Sequence, residues 1–305
     1  MSFPSSLIEF QDQFPDEESC WRYLREVRWP DGFECPRCGE RGSHFLRARR
    51  LEQCRRCRYQ ASVTAGTVFH RTKKPLRIWF LGVFFLARHK KGISALQFQK
   101  DAGIGNYQTA WTMLHKLRSG LGGRTGELLS GLVEADETYV GGPRPGPRGR
   151  AAKNKSIVAV LVEQRAHTAG SVHLDVIPDV SWATLGPFVR GAIEDAHTTV
   201  RTDDWCGYWP LSRAGVDHDP VVVQGDPANV AKLLPWAHVV ISNLKTWLRG
   251  TFHGVSHKYL RRYLVEFAYR FNRRWREGEL FPFVLRRAAQ AEPVPYHRLK
   301  AETVG

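Results

Sequence analysis

Four cysteines set as two CxxC pairs constrain this chain more than any other feature. Residues 35–57 read CPRCGERGSHFLRARRLEQCRRC, so Cys35 and Cys38 form one knuckle, 15 residues intervene, and Cys54 and Cys57 form the second. Paired knuckles at this spacing close a tetrahedral thiolate site, with short β-hairpins linking them. Sulfur takes every ligand place, which leaves none for water and makes the ion, Zn²⁺, structural. In so short a segment the metal supplies much of the folding free energy. Gly39, directly after the first pair, suits the tight turn that aims backbone amides at the sulfurs. Cys20 and Cys206 read as small buried residues. No apolar run is long enough to span a membrane, and the N-terminus lacks a basic-then-apolar start, which points to the cytoplasm.

Charge narrows the partner. Lysine and arginine number 45 against 30 acidic residues, a net charge of +15, and such a field favours a polyanion. With 42% hydrophobic residues the chain is globular and not a disordered basic tail. Arg47, Arg49, Arg50, Arg55, Arg56 and Arg58 decorate the zinc module. From Pro75 to Gly92 the apolar spacing predicts a helix, after which ISALQFQKDAGIG and NYQTAWTMLHKLRSGL form a helix-turn-helix-like pattern. Its second helix, beginning near Asn106, offers Asn106, Gln108, Thr109, Thr112, His115 and Lys116 to DNA and turns Trp111, Leu114 and Leu117 to the core.

After Gly131 the periodicity changes. LVEADETYVGG, IVAVLVEQR, SVHLDVIPD and TVRTDDWCGY read as strands, with SWATLGPFVRGAIEDA as a helix before the last of them. The order β-β-β-α-β predicts an α/β fold: an RNase-H-like mixed sheet with flanking helices, preceded by a small zinc ribbon and a helical connector. Asp136 lies in an otherwise apolar strand and Asp203 ends the fourth. The first and fourth strands are neighbours in this topology, so the two carboxylates face one site for Mg²⁺ or Mn²⁺, with room for two ions. Asp204 and Glu137 rank below them as neighbours. The loop 141–155 is rich in Gly and Pro and carries Arg148, Arg150 and Lys153, suited to gripping DNA, while Arg261 and Arg262 are the phosphate contacts expected of the last basic helix.

At this point the chain resembles the zinc-ribbon insertion-sequence transposases of the ISXO type, whose catalytic domain is DDE-like. RWPDGFECPRCG, ISALQFQKDAG with TAWTMLHKLR, VEADETYVGG, VRTDDWCGY and ISNLKTWLRGTFHGVSHKYLRRYLVEFAYRFNRR carry the resemblance, in that order. It implies DNA strand cleavage and joining, insertion-sequence ends and target DNA as partners, a dimer or larger assembly on DNA, and Asp136 and Asp203 as the first two catalytic carboxylates. Between Asp226 and Glu266 there is no acidic residue to serve as the third. The resemblance suggests Asn243 in that place, accompanied by Lys245. His238 competes, since it lies 35 residues beyond Asp203 and seven before Lys245, on a helix face shared with Arg249. The expected organisation is a helical segment (1–30), zinc ribbon (31–62), helical DNA-binding region (70–122), catalytic domain (128–275) and tail (276–305). A non-catalytic DNA binder and a repair nuclease of the same fold are the rival readings.

Overall fold

The computed structural model describes residues 4–122, 128–141, 155–222 and 232–301, without the side chains of 195 and 196. Its contacts divide into two compact units, one from residues up to Leu121 with Arg276–Ala301, the other from Gly122–Trp275.

In the first unit, α1 (Leu7–Gln13) and α2 (Glu17–Arg28) begin at Ser6 and Asp16, whose side chains accept amide hydrogens from the first turn. Strands β1 (Ser43–Leu46), β2 (Leu51–Cys54) and β3 (Gln60–Ser62) form a small antiparallel sheet. Too small for its own core, the sheet leans on α2. The buried carboxylate of Glu52 accepts hydrogen bonds from Arg25 Nε and Ser43 Oγ, each at 2.6 Å, and Trp21 packs on Phe45. Helices α3 (Leu76–Arg88), α4 (Ala95–Asp101) and α5 (Tyr107–Gly120) follow, α3 being almost wholly apolar. Gly103, at φ +61°, makes the turn between α4 and α5 that few other residues adopt.

The second unit is a five-stranded sheet. β4 (Leu129–Val140), β5 (Ser156–Arg165) and β6 (Thr168–Ile177) form an antiparallel meander, and α6 (Trp182–Arg190) crosses back to the other side of β4. There β7 (Ile193–Asp203) pairs parallel with β4, and β8 (Asp217–Val221) parallel with β7. The order β6-β5-β4-β7-β8 is mixed, as the β-β-β-α-β reading required, with one more edge strand. That strand, DHDPV, has no apolar alternation and contains Pro220, which an edge position tolerates. The sequence reading also ran the helix to Ala196. Instead Gly191 ends it and Ile193 already pairs with Leu129, so strand pairing overrides the helical pattern of GAIEDA. Helices α7 (Pro235–Phe252) and α8 (Leu260–Asn272) cover one face, packing Val240, Leu244 and Leu264 on Val158, Val160 and Leu174. α6 covers the other, around Val133, Ala135 and Val189.

Of residues 276–305, read as a tail, Arg276–Ala301 include α9 (Glu277–Gln290) and α10 (Tyr296–Ala301) and belong to the first unit. Although α9 contains Pro282, Leu280, Phe281, Val284, Leu285 and Ala288 are buried at helical spacing. Phe281 lies 5.7 Å from Phe14, which meets Phe80 edge-on at 4.9 Å. Among the described residues no helix is long and apolar enough to cross a membrane.

Candidate active site and zinc centre

Side chains alternate along β4, so Val133 and Ala135 enter the α6-side core while Glu134 and Asp136 point to the face that α7 covers. On the neighbouring parallel strand Glu134 stands opposite Arg201. Two residues further along each strand lie Asp136 and Asp203. Their carboxylates therefore leave adjacent strands, about 4.8 Å apart, on the same face.

This crowding has an electrostatic cost. Burial pushes the Asp136 carboxyl up to about 7, helped by the charges of Glu137 and Asp203 and opposed by the Glu137 amide and Lys245. Two oxygen-donor side chains whose charges repel suit a hard divalent cation, which would relieve that repulsion. α7 supplies what stands beside them. His238 Nε2 lies 3.6 Å from Asp136 Oδ2, and Lys245, two turns on, is close enough to act on Asp136. Burial and the Lys245 charge lower the His238 pKa, which favours the neutral imidazole, the form that can coordinate a metal. Arg249 and Lys155 add positive charge next to Lys245.

Asn243 is not part of this cluster. It is exposed, and at 100° per residue it lies roughly 140° around α7 from His238, whereas Lys245 returns to within roughly 20°. Of the two residues open for the third position, His238 is the one that adjoins Asp136.

Three further residues were not singled out. Glu134 is fully buried. Its Oε2 accepts the Ala237 amide at 2.7 Å and the Trp236 amide nearby, which anchors the start of α7 one residue from His238. A second charge in the apolar stretch LVEADETYV was the available signal, since it stands two residues from Asp136 and shares its face. Tyr208, buried, donates its hydroxyl to Glu137 at 3.3 Å, and Trp209 donates its indole N–H to Asp204 Oδ1 at 3.0 Å.

The DNA-contact candidates scatter. The Asn106 side chain caps α5 by accepting the Gln108 and Thr109 amides, so its oxygen is occupied at home. Gln108 is exposed, Thr109 half-buried, and burial lowers the pKa of Lys116. His115 is fully buried against Trp111. Arg261 is tied to Asp175 at 2.6 and 3.1 Å. Arg262 corrects the reading of it as a phosphate contact: it is only 5% exposed and its guanidinium lies over the Tyr259 ring, so it faces the interior. Arg148, Arg150 and Lys153 lie outside the described residues.

In the first unit the four cysteine sulfurs converge within 4.8 Å, with three S···S distances of 3.4–3.6 Å. A tetrahedral Zn–S₄ site with bonds of about 2.3 Å has edges of about 3.8 Å, so the cluster is of the right size. The two knuckles repeat each other. Gly39 N donates to Cys35 O and Arg58 N to Cys54 O, while Cys35 N and Cys54 N reach the carbonyls of Glu40 and Tyr59. Gly39 and Arg58 both take positive φ, at +72° and +58°. Arg47, Arg49, Arg50, Arg55, Arg56 and Arg58 are all exposed.

A zinc ribbon and an RNase-H-like sheet with acidic residues on neighbouring strands are consistent with the architecture of a DDE-type transposase. Residues 128–272 match the ISXO2-like transposase domain and residues 15–60 the transposase zinc-ribbon domain. Together these matches cover more than half of the chain, which belongs to the zinc-ribbon insertion-sequence transposases of the ISXO type. An uncharacterized protein of the transposable element ISH50 from Halobacterium salinarum is 29% identical over 236 residues, 70% of this chain and 76% of that one.

Proposed function

We propose that this transposase cuts DNA at the ends of its insertion sequence and joins the freed ends to a target, using Asp136, Asp203, His238 and Lys245. The observation that carries the reading is the pairing of Glu134 with Arg201, two residues before Asp136 and Asp203 on their adjacent strands, with His238 beside Asp136. Asp136 and Asp203 would hold divalent ions, and neutral His238 would complete the donor set in place of a third carboxylate. Bound Mg²⁺ or Mn²⁺ supplies Lewis-acid stabilisation of the phosphate and a more nucleophilic attacking oxygen at neutral pH. Lys245, with Arg249 and Lys155 behind it, binds the phosphate and offsets the charge that builds on its oxygens in the transition state. Water first displaces one ester oxygen at the element's end, which leaves as a 3′ hydroxyl. That hydroxyl, losing its proton, then displaces an ester oxygen of the target strand. Glu134 keeps α7 seated so that His238 stays at the acid pair. The exposed arginines of the ribbon hold the DNA backbone, and work on two ends requires two copies of the chain.

The test uses the full-length chain with Mg²⁺ or Mn²⁺ and DNA carrying the sequences that flank its gene. Asp136→Ala, Asp203→Ala and His238→Ala are each expected to lose at least about a hundredfold in cleavage while retaining DNA binding, and Asn243→Ala to stay close to wild type. Full cleavage by His238→Ala together with loss in Asn243→Ala would reverse the third assignment. Activity in both aspartate variants would end the whole reading.

A further inference from the structure

The turn after Asp203 is built more firmly than a surface loop needs. Trp205 donates its indole N–H to Val180 O at 3.0 Å. Gly207 sits so close to the same carbonyl that a Cβ there would collide with it and with the Trp205 ring. Tyr208 turns inward beneath the carboxylates and bonds Glu137. The next residue, Trp209, turns outward. Its indole is 58% exposed, yet its N–H is fixed to both the Asp204 side chain at 3.0 Å and the Asp204 carbonyl at 3.3 Å. A large apolar ring is thus held in water in a set orientation, bonded to the residue that follows Asp203.

We propose that Trp209 is a stacking platform for an unpaired nucleobase of the DNA end held at the acid pair. The inference rests on the reading of that pair as a strand-transfer site and adds a recognition element to it. Three features favour a base over a protein side chain. The exposed indole presents a π-face while bonded to Asp204, the residue next to Asp203 of the proposed phosphodiester site. Lys155, Lys245 and Arg249 supply positive charge beside that site for the flanking backbone. The anchored N–H leaves the ring only its faces to offer, which suits stacking and not hydrogen-bonded readout. Stacking is sequence-tolerant, so the platform would take whichever base lies next to the cut, provided that it is unpaired. Opening of the duplex at the element's end then becomes part of substrate recognition.

The experiment uses full-length protein and a forked DNA duplex with 2-aminopurine in its unpaired arm, against the same base paired in a blunt duplex. At saturating protein, wild type is expected to quench the unpaired probe and leave the paired one bright. Trp209→Ala is expected to lose the quenching and to bind the fork more weakly by about 5- to 150-fold, with Trp209→Phe restoring part of both. Equal quenching by wild type and Trp209→Ala would overturn the proposal, as would a Trp209→Ala variant changed only in oligomeric state. Failure of the parent reading looks different. Wild type would then quench and bind the fork but cleave no DNA with Mg²⁺ or Mn²⁺, which leaves the stacking site standing. Normal cleavage with Trp209-independent quenching would remove the stacking site alone.

Discussion

Replacing Glu134 with alanine removes the acceptor that ties β4 to the start of α7. The carboxylate oxygen receives the Ala237 amide at 2.7 Å and the Trp236 amide, in a place where Ala237 is completely buried and no water can substitute. A hydrogen bond to a charged group contributes about 1.5–3 kcal/mol, and a negative charge at a helix N-terminus about 0.3–1 kcal/mol more. Against this stands the desolvation that raises the Glu134 pKa and is relieved when the group is deleted. The net expected for Glu134→Ala is about 2–3 kcal/mol, lost locally from the first turns of α7. Glu134→Gln keeps an acceptor of the same reach, and the position of Oε1, which has no partner among the described residues, can take the amide nitrogen. Its expected cost is about 1 kcal/mol, mostly the lost charge. Amide hydrogen exchange of peptides spanning residues 235–252 reads this directly. Glu134→Ala should exchange roughly 30- to 150-fold faster there, and Glu134→Gln about fivefold faster. Exchange in Glu134→Ala within twofold of wild type would show that packing alone holds α7 and that the carboxylate anchor is dispensable.

Removing zinc with a chelator, or changing Cys54→Ser, should unfold the ribbon, read as rapid proteolysis within residues 31–62 and loss of one equivalent of zinc per chain by elemental analysis. Because Arg262 faces the interior, Arg262→Ala is expected to lower stability by about 1–3 kcal/mol in denaturant titration with DNA affinity changed less than twofold, and a large affinity loss without destabilisation would refute its burial. Gly207→Ala should cost about 1–3 kcal/mol through the clash with the Val180 carbonyl, and a neutral thermal melt would count against the tight turn that presents Trp209.

The zinc knuckles, the sheet order and the placing of Asp136 and Asp203 on neighbouring strands were legible because each is dictated locally. Spacing fixes the knuckles, strand periodicity fixes the sheet, and an acidic residue in an apolar strand needs a reason. Which α7 residue stands beside Asp136 was not legible. Asn243 and His238 lie on one helix, and only the seating of α7 on β4 decides which reaches Asp136. Glu134 was passed over although the cost of a buried charge applied to it as much as to Asp136. Arg262 misled for a related reason: a basic helix has two sides, and sequence alone did not say that its guanidinium would turn inward over Tyr259. The edge strand β8 and the helix containing Pro282 broke propensity rules that tertiary context overrode.

The return of α9 to the first unit makes the catalytic sheet an insertion bounded by two chain crossings. Synthesis from the N-terminus therefore delivers Phe14 and Phe80 long before Phe281, the ring that completes their cluster. The ribbon-bearing unit must wait, partly unmade, while the sheet emerges and folds. A stop codon just after Trp275 would spare every described strand as well as Asp136 and Asp203, yet its damage would appear at the opposite end of the gene product.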